Sequence, residues 1–127
     1  MQRTETGVRV VIAARAVLRE TMHQAVTAAG MQVAAACSST AELIAAVSRE
    51  HPDVCVLDRE LRGGGLAATA AITSPRRAPK VLVVGGRGSA AELRAIRLAG
   101  ATASLPGDVD AAGLTAAIAA LTRKEQP

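Results

Sequence analysis

The sequence predicts a five-stranded parallel β-sheet with helices on both faces, and three observations carry the prediction. Short apolar runs of β type alternate five times with longer stretches of helical periodicity. The run Val54-Cys55-Val56-Leu57 is apolar throughout, as a strand is when both faces of its sheet are covered. The chain of 127 residues, 50% hydrophobic and 20% charged, suits one compact globular domain.

The elements follow in order. Val8 to Ala13 reads as a buried first strand. Val17, Leu18, Met22, Val26 and Ala29 fall at helical spacing, and Gly30 supplies the stop. Met31 to Ala36 is a weaker second strand. Ser39-Thr40-Ala41-Glu42 gives a capping signal for a second helix whose inner face is Leu43, Ile44 and Val47, and His51-Pro52 ends it. After the third strand, Arg62-Gly63-Gly64-Gly65 is a loop, followed by a short Ala-rich helix to Ile72 and a connector from Ser74 to Pro79. Lys80 to Val84 is the fourth strand, Gly85 to Gly88 a loop, and Ser89 to Ala99 the fourth helix, stopped by Gly100. Ala103 to Leu105 is a weak fifth strand, and Asp110 to Leu121 a final helix with Leu114, Ile118 and Leu121 turned inward. The domain therefore runs from 7 to 122. Residues 1–6 read as a polar tail and 123–127 as a tail or the start of a linker.

Composition excludes several functions. The chain has 29 Ala and no Phe, Tyr or Trp, so bases cannot stack on aromatic rings. The net charge of +4 comes from 13 Arg and two Lys against 11 acids, but no basic tract is longer than Arg76-Arg77. This reads as a solvated, slightly basic surface, with no direct nucleic-acid binding by the domain. Cys37 and Cys55 have neither CxxC spacing nor a histidine set around them, which fits a reduced cytoplasmic protein without zinc or a disulfide framework. No apolar run reaches the ~18 residues of a membrane span, and Met1 to Thr6 holds no signal-peptide core.

In a parallel sheet of this kind, ligands and chemistry sit at the carboxyl ends of the strands. The residues there are Ala14 and Arg15, Asp58 and Arg59, Gly85 to Arg87, and Pro106 to Asp108. Four segments then resemble the receiver domain of bacterial response regulators, most like those carried by helix-turn-helix transcription factors. They are Gly7-Val8-Arg9-Val10-Val11-Ile12, the run His51-Pro52-Asp53-Val54-Cys55-Val56-Leu57-Asp58, the loop into Gly65-Leu66, and Leu98-Ala99-Gly100-Ala101. The resemblance spans about residues 7 to 122. It implies a flavodoxin-like sheet in the order 2-1-3-4-5, with two helices on one face and three on the other.

The resemblance also implies a phosphoacceptor aspartate, two acidic residues that hold Mg²⁺ with it, a Thr or Ser ending the fourth strand, and a Lys after the fifth. Asp58 matches the phosphoacceptor. The acidic pair falls at Ala14 and Arg15, the hydroxyl residue at Gly85, the Lys at Gly107, and the aromatic switch residue at Ser104. Shifting the register finds no carboxylate between Ala13 and Val17.

Mg²⁺ demands oxygen ligands, and Asp58 alone supplies one carboxylate, with Arg15 adding positive charge beside it. At ~4 Å and an effective dielectric near 20, two unit charges interact by about 4 kcal/mol, and a divalent ion doubles that. The expected cofactor set is therefore empty, with no metal and no Mg²⁺. Without the cation and the Lys, charge on a transferring phosphoryl group goes uncompensated. Gly85 has no hydroxyl to sense a phosphate, and Ser104 has no ring to swing. Arg15 is expected to take the cation's place as partner of Asp58, with Arg59, Arg62 or Arg87 as substitutes; the plainer reading leaves Asp58 solvated at a loop edge.

Gly85-Gly86-Arg87-Gly88-Ser89 follows a strand and opens a helix, where an anion can meet free N–H groups. Arg62, Gly86 and Arg87 are the candidate ligand or anion residues of one cleft flanked by this loop and Arg62–Gly65. The loop lacks the Gly-Lys-Ser/Thr ending of a P-loop and the full GxGxxG spacing. His23 and His51 read as surface residues, Cys55 as core and Cys37 as accessible. No acid–base pair or nucleophile–histidine set supports an enzyme.

The alanines of the last helix permit close approach by another helix, and a homodimer is expected. The sequence reads as an atypical, non-catalytic receiver regulating transcription through phosphorylation-independent dimerisation or conformational signalling, with its DNA-binding domain in a longer protein. The alternative is a receiver-like domain repurposed to sense a small-molecule metabolite or to act as a stand-alone protein-interaction adaptor.

Overall fold

A computed structural model describes residues 7–123. Five βα units run in chain order: β1 (Arg9–Ala13), α1 (Ala16–Ala28), β2 (Gln32–Cys37), α2 (Thr40–Glu50), β3 (Val54–Asp58), α3 (Gly65–Thr73), β4 (Lys80–Val84), α4 (Ala90–Leu98), β5 (Ala103–Leu105) and α5 (Ala111–Thr122). All pairings are parallel, in the order β2-β1-β3-β4-β5. The sheet order and the five units are those expected from the sequence.

The strands alternate sides with period two, and two cores result. Val11, Ala13, Cys55, Leu57, Val81 and Val83 face α2, α3 and α4. Val10, Ile12, Val54, Val56, Leu82 and Val84 face α1 and α5. β3 is buried at every position, which is why its sequence is an unbroken apolar run ending in one acid. In α3, Gly65, Ala68, Thr69 and Ile72 are buried at positions i, i+3, i+4 and i+7.

The helix ends are set by short-range chemistry. Ser39, Ser89 and Asp110 accept backbone N–H bonds at the starts of α2, α4 and α5. His51 adopts the left-handed conformation (φ 49°) after α2, donates its N–H to Val47 O, and hands the chain to Pro52.

Four expectations are corrected. Val17 is 82% exposed, because it lies five positions before Met22 and is turned about 140° off the buried face of α1. Ala29, at the C-cap, is exposed as well. Ile44 is 43% exposed, the buried face of α2 being centred on Leu43 and Ala46. Cys37 is buried, since β2 extends one residue further than expected and points it into the core beneath α2. The expected tails, 1–6 and most of 123–127, lie outside the described residues.

Candidate functional site

The carboxyl ends of β1 and β3 lie side by side, with Ala13 opposite Leu57, so the residues following β1 reach the last residue of β3. Ala14 is fully buried in the α1/α5 core and its side chain offers no ligand atom, while its carbonyl accepts from Arg19 Nη1 at 2.9 Å. Arg15, the N-cap of α1, is placed against Asp58. Its Nε donates to Asp58 Oδ2 at 2.7 Å and its Nη2 to Oδ1 at 3.1 Å, a fork-on-fork pair.

Two backbone groups complete the shell of Asp58. Arg15 N–H donates to Oδ2 at 2.9 Å and Glu60 N–H to Oδ1 at 2.8 Å. Each carboxylate oxygen therefore accepts two hydrogen bonds, which fills the capacity of the group. The Asp58 side chain is 0% exposed, whereas that of Arg15 is 60% exposed and covers it from the solvent side. Burial pushes the Asp58 carboxyl upward, but the Arg15 side chain, the two N–H groups and the Arg15 charge outweigh it and hold the group below its ordinary value. The same hydrogen bonds and charge raise Arg15.

The remaining positions sit around this pair without joining it. Gly85, at the end of β4, has φ +145°, and a Cβ built there would lie 2.7 Å from the Cβ of Arg59. Arg59 thus takes the space of the missing hydroxyl side chain. Its Nη1 lies 3.6 Å from Glu60 Oε2, and its buried Nε has no partner. Gly107 packs backbone to backbone on the glycine loop, its N–H donating to Gly86 O at 3.2 Å. Ser104 is opposite Val83 in the sheet and lines, with Gly85, Leu93 and Ile96, a hollow of about 40 Å³. That is far below the ~300–1,000 Å³ of ligand pockets.

The candidate anion loop is occupied from within. Glu92 Oε1 accepts from Arg87 N–H (3.0 Å), Gly88 N–H (2.9 Å) and Ser89 N–H (3.2 Å), while Ser89 Oγ accepts from Glu92 N–H. The Arg87 side chain is exposed. Arg62 is exposed as well, and its carbonyl accepts from Thr40 N–H and Thr40 Oγ, so its loop borders a hollow with Ser38 to Glu42. The Gly85–Gly88 loop borders the hollow at β5 instead. The expected single cleft between the two loops is therefore corrected to two separate hollows.

Of the possible partners for Asp58, the structure selects Arg15. The sequence reading missed Glu92, although it was visible as the fourth residue of a Ser-x-x-Glu capping box. It placed Arg59 at this end as a possible partner of Asp58, whereas Arg59 packs against Gly85, a contact between neighbouring strand ends that gives no local signal.

A doubly wound sheet serves many functions, and the family match decides which class of domain this one is. The family described as the response regulator receiver domain matches residues 10–119. The chain belongs to that family, and receiver domains are regulatory signalling modules of two-component systems.

Solved structures agree on the fold. A DNA-binding response regulator of the LuxR family from Staphylococcus aureus is similar with TM-score 0.83 and 20% identity, covering 91% of this chain and 99% of that one. A LuxR-family two-component response regulator from Aurantimonas sp. SI85-9A1 has TM-score 0.80 and 24% identity, covering 91% and 84%. The chemotaxis response regulator CheY4 of Vibrio cholerae has TM-score 0.83 and 18% identity, covering 91% and 99%. No curated protein sequence matches the chain. Among the described residues, no helix is long and apolar enough to cross a membrane.

Proposed function

We propose that this chain is an atypical receiver, non-catalytic, whose signalling runs without phosphorylation of Asp58. The observation that carries the reading is the Arg15 guanidinium seated on the Asp58 carboxylate, with all four acceptor positions taken. A nucleophilic oxygen needs a free lone pair directed at the phosphorus, and here each one meets an N–H.

The Mg²⁺ that the family resemblance implies does not fit this donor set. Ala14 supplies no carboxylate, Arg15 supplies a cation, and among the described residues no three of His, Cys, Asp and Glu converge. The hydroxyl and aromatic relay positions, Gly85 and Ser104, are likewise without the groups that would read a phosphate.

On this reading the domain is held in one conformation, and it acts as a homodimer or assembly module for a DNA-binding domain in a longer cytoplasmic regulator. The sensor alternative gains no support from the Gly85–Ser89 loop, where Glu92 already fills the anion position.

The test combines Mg²⁺ and a small phosphodonor with the protein, reading intact mass and solution molecular weight together. The expected result is no phosphoryl adduct and a dimer present from the start. A stoichiometric adduct that disappears in Asp58→Ala, accompanied by a change in assembly, would overturn the proposal.

A further inference from the structure

Seven of the basic residues that the sequence spreads along the chain are brought by the fold to one end. In a parallel βα domain the starts of the strands and the ends of the helices share one edge. Arg9 and Lys80 open β1 and β4, Arg49 and Arg97 lie in the last turns of α2 and α4, and Arg76 and Arg77 form the connector into β4. Arg123 caps the end of α5 at the same edge. Two carboxylates, Glu50 and Asp53, oppose these seven cations. The other end, around Asp58, is slightly acidic. The excess charge of the domain is therefore concentrated on the strand-start end.

Local contacts show how little of it is neutralised. Arg9 and Arg49 share the single carboxylate of Glu50, at 2.9 and 3.0 Å. Asp53 Oδ2 accepts from Arg9 N–H at 2.8 Å. Among the described residues, Arg76, Arg77, Lys80 and Arg97 have no carboxylate within 4.0 Å, and all four are exposed. Arg77 and Lys80 line one open hollow with His51 and Asp53, floored by Val47 and Pro79.

Cations in the last turn of a helix complement its dipole, which accounts for Arg49 and Arg97. It does not account for Arg9, Arg76, Arg77 and Lys80, which lie outside the helices. Self-association end to end is a poor match, because the opposite end offers little negative charge. The composition favours guanidinium over ammonium, suited to bidentate phosphate contacts, and the absence of aromatic rings removes the aromatic platforms on which single-stranded bases stack.

We propose that the strand-start end, centred on Arg76, Arg77 and Lys80, docks on the phosphate backbone of duplex nucleic acid without reading sequence. This revises the expectation that the domain makes no direct nucleic-acid contact. It is independent of the state of Asp58, which lies at the other end of the sheet.

The test is fluorescence anisotropy of a labelled duplex of about 20 base pairs and arbitrary sequence, titrated with the 127-residue chain at rising salt. Four phosphate contacts predict a slope of about −3.6 in log affinity against log salt, roughly a hundredfold loss from ~50 to ~200 mM. The double variant Arg76→Glu/Arg77→Glu, in an exposed connector, should keep the parent's circular dichroism and reduce the slope by about 2. Arg94→Glu, on the exposed middle of α4, should bind like the parent. Absent or salt-independent binding would overturn the proposal, as would a double variant that binds unchanged. Polyglutamate bound as tightly as the duplex would overturn it in favour of an acidic polypeptide partner.

Discussion

The Cβ of Arg59 lies 2.7 Å from the point that a Cβ on Gly85 would occupy, so the end of β4 has no room for a side chain while Arg59 follows Asp58. The arrangement is anchored by Arg59 N–H, which donates to Val84 O at 2.8 Å. Gly85 also has φ +145°, a conformation strained for any residue with a Cβ. Gly85→Thr, which restores a hydroxyl in name, should cost about 3 kcal/mol from backbone strain and overpacking together. Urea unfolding measures it. Adding Arg59→Gly should recover about 1 kcal/mol or more through relief of the contact. No recovery would place the whole cost in the backbone of residue 85.

Removing either partner of the Arg15–Asp58 pair should have unequal consequences. Arg15→Ala opens the buried carboxylate to water, which replaces the lost donors. The cost should be about 1–2 kcal/mol, below that of a fully buried pair. Asp58→Asn keeps the shape, but its amide NH₂ must face N–H groups of Arg15 or Glu60, whichever way it is turned. That mismatch should cost about 2–3 kcal/mol. An Asp58→Asn variant as stable as the parent in urea would show that the pair contributes nothing to the fold.

The depressed carboxyl of Asp58 fixes the sign of one pH dependence. A group whose folded pKa lies below its unfolded value binds fewer protons when folded. Its stabilisation is full above the unfolded pKa near 3.8 and is lost as pH falls through the lower folded value. Thermal unfolding followed from pH 7 downward should therefore give a level Tm as far as Asp58 is concerned until about pH 4–5, then a decline. In Arg15→Ala, with the largest depressing influence removed, the part of that decline due to Asp58 should shrink. A parent and variant with parallel profiles would contradict the assignment.

The regular architecture was legible because it depends on short-range patterning. Short apolar runs and an unbroken apolar β3 marked the sheet, and Ser39-Thr40-Ala41-Glu42 marked the start of α2. The errors at Val17 and Ile44 were of helical phase, and the others arose where a residue's neighbours come from elsewhere in the chain. Cys37 looked accessible as a strand end, yet the body of α2 covers it, and burial raises its thiol. Cys55 in the middle of β3 was rightly read as core, and burial pushes it up to about 12. Arg15 could be put forward as a partner of Asp58 because both stand at adjoining strand ends, but Arg59, Arg62 and Arg87 carry the same charge and the structure selects among them. The occupation of Gly85's space by Arg59 needed the distance between two strands, which no local pattern encodes.

The carboxylate of Glu92 closes the loop before α4 by accepting three successive backbone N–H groups, and its removal should be visible only there. In Glu92→Ala the Ser89 cap on α4 loses its reciprocal half, and the N–H groups of Arg87, Gly88 and Ser89 lose their acceptor. Amide hydrogen exchange at those three residues should accelerate about tenfold or more. The amides of β4, paired on both sides within the sheet, should keep the parent's protection. The carboxyl itself is held below its ordinary value, first by the N–H of Ser89 and then by that of Arg87, with Gly88 adding to them. Carbon-detected titration of Glu92 in the parent should therefore give a midpoint below that of an ordinary glutamate, with the loop amides losing protection as the group protonates. An ordinary midpoint, or exchange at 87–89 unchanged by the variant, would mean that the loop is held by its glycine-rich backbone alone.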